Sequence, residues 1–297
     1  MSNKAALAAL DRMNALSFSD DLPDCCREEG IPVRTEVVRL IKDMQAVMFP
    51  HYFRPTRMAR GRLTGEKLLL DMLPRLKQQM RTALIFGCEN ENKDEEICEK
   101  LINALPKVKE DLLTDAEALY FGDPAARSVD EVLLCYPGFY AMSIFRVAHV
   151  LYEMDVPLLP RIMTEYAHTK TGIDIHAGAK IGRYFCMDHG TGIVIGETTV
   201  IGDHVKIYQG VTLGAKSFEL DEDGNPVKAI KRHPNIGNNV VIYGNAVILG
   251  GNTVIGDDCI IGGNVWLTSS VPPCHVVAYK SNDIVIRERL DGGGICK

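Results

Sequence analysis

Residues 193–214 read IVIGETTVIGDHVKIYQGVTLG. Within this segment an aliphatic residue recurs every six positions, at Ile195, Ile201, Ile207 and Leu213. A six-residue period matches neither the 3.6-residue repeat of an amphipathic helix nor the two-residue alternation of a half-buried strand. It is the period of hexapeptide β-helices, in which each hexad supplies a short strand and a turn and points its aliphatic side chain into a shared core. The segment therefore predicts a parallel β-helix.

The same period extends in both directions along the chain. The period is lengthened by two residues between Met187 and Ile195 and by one residue between Ile248 and Ile255. Its further positions are Ile175, Ile181, Met187, Ile236, Ile242, Ile248, Ile255, Ile261 and Leu267. Residues 215–232 interrupt the period with an acidic tip that contains Gly and Pro, a composition typical of a turn-rich loop. Loops that leave a rigid scaffold often carry binding groups, so we expect this one to contribute to function.

The residues before the repeats carry helical patterns. Apolar side chains recur at spacings of three and four from Thr35, the predicted N-cap, to Met48. Further helices are predicted over about 65–86, 94–104, 111–120, 138–154 and 157–171. The fold class is therefore α+β: an N-terminal all-α helical domain over 1–171, followed by a C-terminal left-handed parallel β-helix of hexapeptide repeats over 172–280. Residues 1–30 are expected to form a loosely docked arm, and residues 281–297 a C-terminal tail.

Composition excludes several classes of protein. The 297 residues carry a formal net charge of −6, which argues against binding to duplex nucleic acid, because phosphate contacts need a basic surface. Nine cysteines without a CxxC pair favour reduced thiols over a disulfide framework. The sequence has no apolar run of about 18 residues and no secretory h-region, so no membrane span is expected. We expect a cytoplasmic protein.

The slip of two residues between Met187 and Ile195 contains the run DHGTG at 188–192. Extra residues in a regular coil bulge outward and change the direction of side chains. Asp174 lies 15 residues before His189, and with about 18 residues per coil the two should be close on successive coils. An Asp–His pair supports general-base catalysis, because the carboxylate orients the imidazole that accepts the proton. The structural alternative is that His189 merely fills a turn.

Several runs together resemble the serine O-acetyltransferase family. They are DPA at 123–125, YPGF at 136–139, DIH at 174–176, DHGTG at 188–192, VTLG at 211–214 and RHP at 232–234. The resemblance implies transfer of the acetyl group of acetyl-CoA to the hydroxyl of L-serine, for cysteine biosynthesis. It implies that His189 is the base and Asp174 its orienting partner. The substrate-binding residues that it implies are Asp123 and Asp188 for the ammonium, and Arg232 and His233 for the carboxylate.

The resemblance also implies how the co-substrate and the subunits are arranged. Acetyl-CoA is expected in a cleft between neighbouring subunits of a homotrimer, and whether two trimers join is left open. The expected cofactor-binding residues are Gly214, Ala215, Gly244, Asn245 and Gly263. No metal is expected. The resemblance gives no support for a complex with O-acetylserine sulfhydrylase, because the chain does not end in isoleucine but in GICK at 294–297.

Three other functions remain open at this point. A related acetyltransferase on the same scaffold would act on homoserine, a sugar or an antibiotic. A hexapeptide metalloenzyme would need three converging histidines as zinc ligands, and a non-catalytic scaffold would need none of these side chains. The site residues also have structural alternatives, in which Asp123 starts a turn and Arg232 pairs with Asp221 or Glu222 of the loop.

Overall fold

Six helices lie between residues 30 and 171 of the part of the chain that the structure describes. A computed structural model describes residues 7, 9, 10, 12, 13, 30–53, 64–87 and 91–280. The predicted tail at 281–297 and nearly all of the predicted arm at 1–30 lie outside the described residues. The helices are α1 Arg34–Met48, α2 Gly65–Phe86, α3 Asp94–Gly122, α4 Val129–Cys135, α5 Pro137–Glu153 and α6 Leu159–Thr171, with a 3₁₀ turn at Glu91–Lys93 before α3.

Two sequence-based predictions for the helices were wrong. The helices predicted at 94–104 and 111–120 form the single helix α3, which runs through Pro106. The buried stripe of Leu101, Leu105, Val108 and Leu112 continues past this proline, and its packing outweighs the roughly 3 kcal/mol cost of an interior proline. The N-cap of α1 is Val33 rather than Thr35, and the short helix α4 was not predicted.

Fourteen short strands follow α6 and form three parallel sheets. The strands are β1 Asp174–Ile175, β2 Lys180–Ile181, β3 Cys186–Asp188, β4 Val194–Ile195, β5 Val200–Ile201, β6 Lys206–Tyr208, β7 Thr212–Gly214, β8 Asn235–Ile236, β9 Val241–Ile242, β10 Val247–Leu249, β11 Val254–Ile255, β12 Ile260–Ile261, β13 Trp266–Leu267 and β14 Val276–Val277. Sheet I has the order β1-β4-β7-β10-β13, sheet II β11-β8-β5-β2 and sheet III β14-β12-β9-β6-β3. Each strand thus pairs with the strand one coil away, which makes the domain a triangular solenoid.

The six-residue period corresponds to the interior of this solenoid. Its aliphatic side chains are buried except for Ile181 and Leu267, which are partly buried against the same core. The coil length follows the slips in the sequence, since 20 residues separate Asp174 from its partner Val194, and 18 separate Val194 from Thr212. The predicted β-helix is confirmed, and the two extra residues lie in the first coil.

The helical part is joined to the first coil by a buried ion pair. Arg146 of α5 donates from Nε to Oδ2 of Asp115 on α3 at 2.6 Å and from Nη2 to Oδ1 at 2.8 Å. The same guanidinium donates to the carbonyl oxygens of Ile181 and Gly182 in the solenoid, while the Phe185 N–H donates to Asp115. The hydrophobic core is also continuous from the helices into the coils. A domain boundary at 171 therefore stays a prediction.

The buried pair leads to a prediction about stability. Arg146→Met should lower the free energy of unfolding by about 3–5 kcal/mol, because it leaves the fully buried Asp115 carboxylate without its counter-charge. Urea denaturation measures this change. The control is Lys100→Met, which removes an exposed pair with Glu96 and should change the free energy by less than about 0.5 kcal/mol. Equal unfolding midpoints for the two variants would contradict the role given to Arg146.

Candidate active site

His189 lies in the turn between β3 and β4, where the two extra residues of the first coil bulge outward. Its backbone φ of 58° is left-handed, and Gly190 follows with a φ of 90°. A Cβ atom at Gly190 would come within 2.6 Å of Cδ1 of Ile173, so this turn requires glycine. The side chain of His189 is 73% exposed. The turn therefore holds the imidazole outward from the solenoid.

Two carboxylates accompany this imidazole. Asp188 places Oδ1 3.9 Å from Nε2 of His189, and its side chain is only 13% exposed. Asp123 follows α3 and accepts hydrogen bonds from the Tyr136 hydroxyl at 2.5 Å and from the Ala125 N–H at 2.8 Å. These hydrogen bonds, that of Tyr136 foremost, hold the pKa of Asp123 below its ordinary value. The arrangement is an anionic half-site beside a potential base.

Within residues 91–280, no hydrogen bond or ion pair joins Asp174 to His189. The Asp174 carboxylate lies within 4.8 Å of potential ligand atoms of Glu165 and His168 on α6. The register explains this, because Asp174 stacks on Val194, five positions past His189 in the longer coil. The orienting role of Asp174 stays a prediction.

Arg232 forms a second cluster with Glu197 of an earlier coil and Tyr152 of α5. Its Nη2 atom donates to Oε2 of Glu197, and the Tyr152 hydroxyl donates to Oε1 of Glu197 at 3.0 Å. Burial opposes ionisation of Glu197, but the hydrogen bonds from Arg232 and Tyr152 outweigh it and lower its pKa. The alternative that Arg232 pairs with Asp221 or Glu222 was therefore wrong.

His233 is held in one tautomer beside Arg232. The Thr198 N–H donates to Nδ1 of His233 at 3.1 Å, so Nδ1 is an acceptor and Nε2 carries the hydrogen. The residue is 7% exposed, and burial, with the Arg232 charge, lowers the pKa of His233 to about 4. At neutral pH this imidazole is therefore an uncharged hydrogen-bond donor next to a guanidinium.

The loop at 215–232 forms one wall of a cavity beside this cluster. The cavity has a volume of about 840 Å³ and is lined by Glu197, Arg232 and the loop residues Phe218 and Val227, among others. Lys231 anchors the loop, because its Nζ atom donates to the Thr198 carbonyl and to Oδ1 of Asn235. This lysine is therefore committed to internal contacts.

The two clusters lie on different edges of the solenoid. The histidine edge consists of the turns between sheets III and I, at 189–193, 209–211, 243–246 and 262–265. The arginine edge consists of the turns between sheets I and II, at 176–179, 196–199, 215–234 and 250–253. The predicted cofactor residues divide in the same way. Gly244, Asn245 and Gly263 lie on the histidine edge, whereas Gly214 and Ala215 lie at the arginine edge.

Comparison with known proteins identifies the family. The chain is 44% identical over 260 residues to the plasmid serine acetyltransferase of Synechococcus elongatus, and the match covers 82% of this chain and 80% of that protein. This chain belongs to the serine acetyltransferase family. No family model matches it. The family membership confirms the resemblance seen in the sequence motifs.

Solved structures of the serine acetyltransferase family share the fold. Serine acetyltransferase 1 of Entamoeba histolytica in complex with L-cysteine matches with a TM-score of 0.71 and 36% identity over 80% of this chain and 86% of that chain. The Neisseria gonorrhoeae serine acetyltransferase in complex with serine matches with a TM-score of 0.55 and 27% identity over 82% and 95% of the two chains. The solenoid of about five turns is accordingly a left-handed β-helix.

The sequence motifs did not assign every residue that shapes the two clusters. Tyr136 stands within the family motif at 136–139 and Glu197 lies outside the motifs quoted above, and neither was given a role. Tyr152 and Lys206 stand outside them, and their contacts with Glu197 and Asp188 join residues that are distant in sequence. A single sequence holds no signal for such contacts.

The hydrogen bond to Asp123 leads to a titration prediction. Tyr136→Phe should raise the pKa of Asp123 toward its ordinary value, because it removes the main group that favours the charged form. NMR titration of the Asp123 carboxyl carbon measures this shift. Because the native pKa is depressed, this contribution to stability is present above the unfolded-state pKa and is lost as the pH falls through the folded-state pKa.

The matched control for this titration is Tyr120→Phe, on the same helical layer but without a contact to Asp123. It should leave the Asp123 titration unchanged. An Asp123 pKa that is the same in Tyr136→Phe and in the unsubstituted protein would show that the phenol does not set the ionisation of this carboxyl.

Proposed function

We propose that this chain transfers the acetyl group of acetyl-CoA to the hydroxyl of L-serine and gives O-acetyl-L-serine for cysteine biosynthesis. The observation that carries the proposal is the division of charge between the two edges. An anionic pair, Asp123 and Asp188, matches the ammonium of an amino acid, and Arg232 with His233 matches its carboxylate. The relatives named as serine acetyltransferases, one of them solved with serine, support the same substrate.

His189 is the proposed general base. Its imidazole takes the proton of the serine hydroxyl as the oxygen attacks the thioester carbonyl, forming a C–O bond. When the C–S bond breaks, the protonated imidazole returns the proton to the departing thiolate of CoA. The predicted contribution of Asp174 is to orient the imidazole, whereas Asp188 binds the substrate beside it. A backbone N–H of the repeats is the proposed donor to the carbonyl oxygen that becomes negative.

A homotrimer completes the site. Serine is too small to reach both edges of one solenoid, because sheet I separates His189 from Arg232. In a threefold assembly the histidine edge of each chain faces the arginine edge of the next, so each interface holds one complete site. Acetyl-CoA lies in the same cleft, along Gly244, Asn245 and Gly263 of one chain and Gly214 and Ala215 of its neighbour.

The second candidate function is acetylation of another acceptor on the same scaffold. Homoserine also carries an ammonium and a carboxylate, whereas a sugar or antibiotic offers no amino-acid carboxylate to Arg232 and His233. The zinc-enzyme alternative has less support, because the group of potential ligands that converges within the described residues, Glu165, His168 and Asp174, contains one histidine instead of three. Release of CoA thiol with L-serine, homoserine and aminosugars as acceptors distinguishes these substrates.

The role of His189 gives the first prediction for activity. His189→Ala should lower kcat by roughly 100-fold or more with L-serine, because it removes a positioned base, while the affinity for acetyl-CoA should barely change. The thiol-release assay measures turnover, and equilibrium titration measures acetyl-CoA binding. His204→Ala is the control, since His204 is an exposed turn residue that stacks on Tyr184. Equal turnover in His189→Ala and the unsubstituted protein would refute the mechanism.

The shared site gives a prediction about mixed assemblies. His189→Ala and Arg232→Ala should each be nearly inactive at low serine concentration. When the two variants are unfolded together and refolded, random trimers should recover about a quarter of the full number of intact sites, because one interface in each mixed trimer combines the two unsubstituted edges. Mixing His189→Ala with Asp123→Ala is the control and should restore nothing, since Asp123 belongs to the anionic half-site beside His189 in the same chain. No recovery in the first mixture would place both half-sites within one chain.

A further inference from the structure

Lys206 of β6 lies inside the anionic half-site. Its Nζ atom is 3.0 Å from Oδ2 of Asp188 and donates to the Gly122 carbonyl at 2.6 Å. It also lies 4.5 Å from the centre of the Tyr208 ring. The side chain is only 18% exposed. The ammonium therefore has two oxygen partners and one aromatic ring as close neighbours within the chain.

These contacts join the two carboxylates that are proposed to bind the substrate ammonium. Asp188 stands on the solenoid, whereas Gly122 ends α3 immediately before Asp123. Because Lys206 holds both the Asp188 carboxylate and the Gly122 carbonyl, it links the two elements at the level of the site. Its contact with Oδ2 also leaves Oδ1 of Asp188 facing His189.

The charge of Lys206 changes what the half-site can bind. Asp123 and Asp188 together carry two negative charges, and the ammonium of Lys206 neutralises one of them. One negative charge remains, which matches the single ammonium of L-serine. A buried or half-buried carboxylate pair without this cation would be left with an unbalanced charge after the amino acid has bound.

We propose that Lys206 is a positioning residue that sets serine affinity by fixing Asp188 and the Asp123 loop and by balancing their charge. This role rests on the proposed function. The ammonium of Lys206 is engaged by Asp188 and by the Gly122 carbonyl, so the proposal gives it no contact with the substrate and no part in binding the CoA phosphates.

Steady-state kinetics of Lys206→Met test this role. Methionine keeps the apolar stem of the side chain and removes the charge. The KM for L-serine should rise about tenfold, the effect expected for a charge-assisted hydrogen bond that is partly screened by solvent. The KM for acetyl-CoA should stay the same, and kcat should change by less than about threefold. In an Asp188→Asn background the same substitution should raise the KM for serine much less, because the partner charge is already absent.

The matched control is Lys180→Met. Lys180 lies in sheet II, is exposed and pairs with Glu153 of α5, so this substitution should leave kcat and both KM values unchanged. An unchanged or lower KM for serine in Lys206→Met would overturn the inference. A fall in kcat and in melting temperature together with a rise in both KM values would also overturn it, because it would indicate a general structural defect. If the unsubstituted protein does not acetylate L-serine, the proposed function itself fails, and the role of Lys206 fails with it.

Discussion

The buried pair of Asp115 and Arg146 determines where the helical layer meets the solenoid. Burial raises the pKa of Asp115, and the Arg146 guanidinium, together with the Phe185 N–H, opposes that shift, so Arg146 is the counter-charge on which the carboxylate depends. Because Arg146 also binds two solenoid carbonyls, α3 is fixed against the first coil. The same helix ends just before Asp123. The position of an acid in the candidate site therefore depends on an ion pair two turns away along α3.

The sequence predicted the solenoid more accurately than the helices, for a physical reason. In a β-helix every coil repeats the same environment, so each position of the six-residue period marks a side chain that faces the core. The sequence of a single helix such as α3 has no repeat against which its length can be checked. Pro106 predicts a break from local propensity, but packing of Leu105 and Val108 against the rest of the helical layer decides the outcome. Tertiary contacts of this kind are not visible in one sequence.

The candidate site was predictable where it depends on the coil and unpredictable where it depends on distant contacts. The break in the period located His189 and Asp188, because extra residues must bulge. The same two residues lengthen the coil to 20, so that Asp174 pairs with Val194, and within residues 91–280 no hydrogen bond or ion pair joins it to the imidazole. Lys206 and Gly122 meet across 84 positions of sequence, and no local pattern marks such a contact.

The triangular cross-section of the solenoid places His189 on an outer edge, where water could compete with serine for the thioester. A base that is 73% exposed in one chain would activate water as readily as serine, and the thioester would be hydrolysed. In the proposed trimer the arginine edge of the neighbour covers His189, so the base is screened only where the carboxylate-binding residues are also present. Assembly then supplies both the second half of the substrate site and the exclusion of water. In the proposed trimer, the neighbouring chain therefore encloses the substrate without any movement of the solenoid.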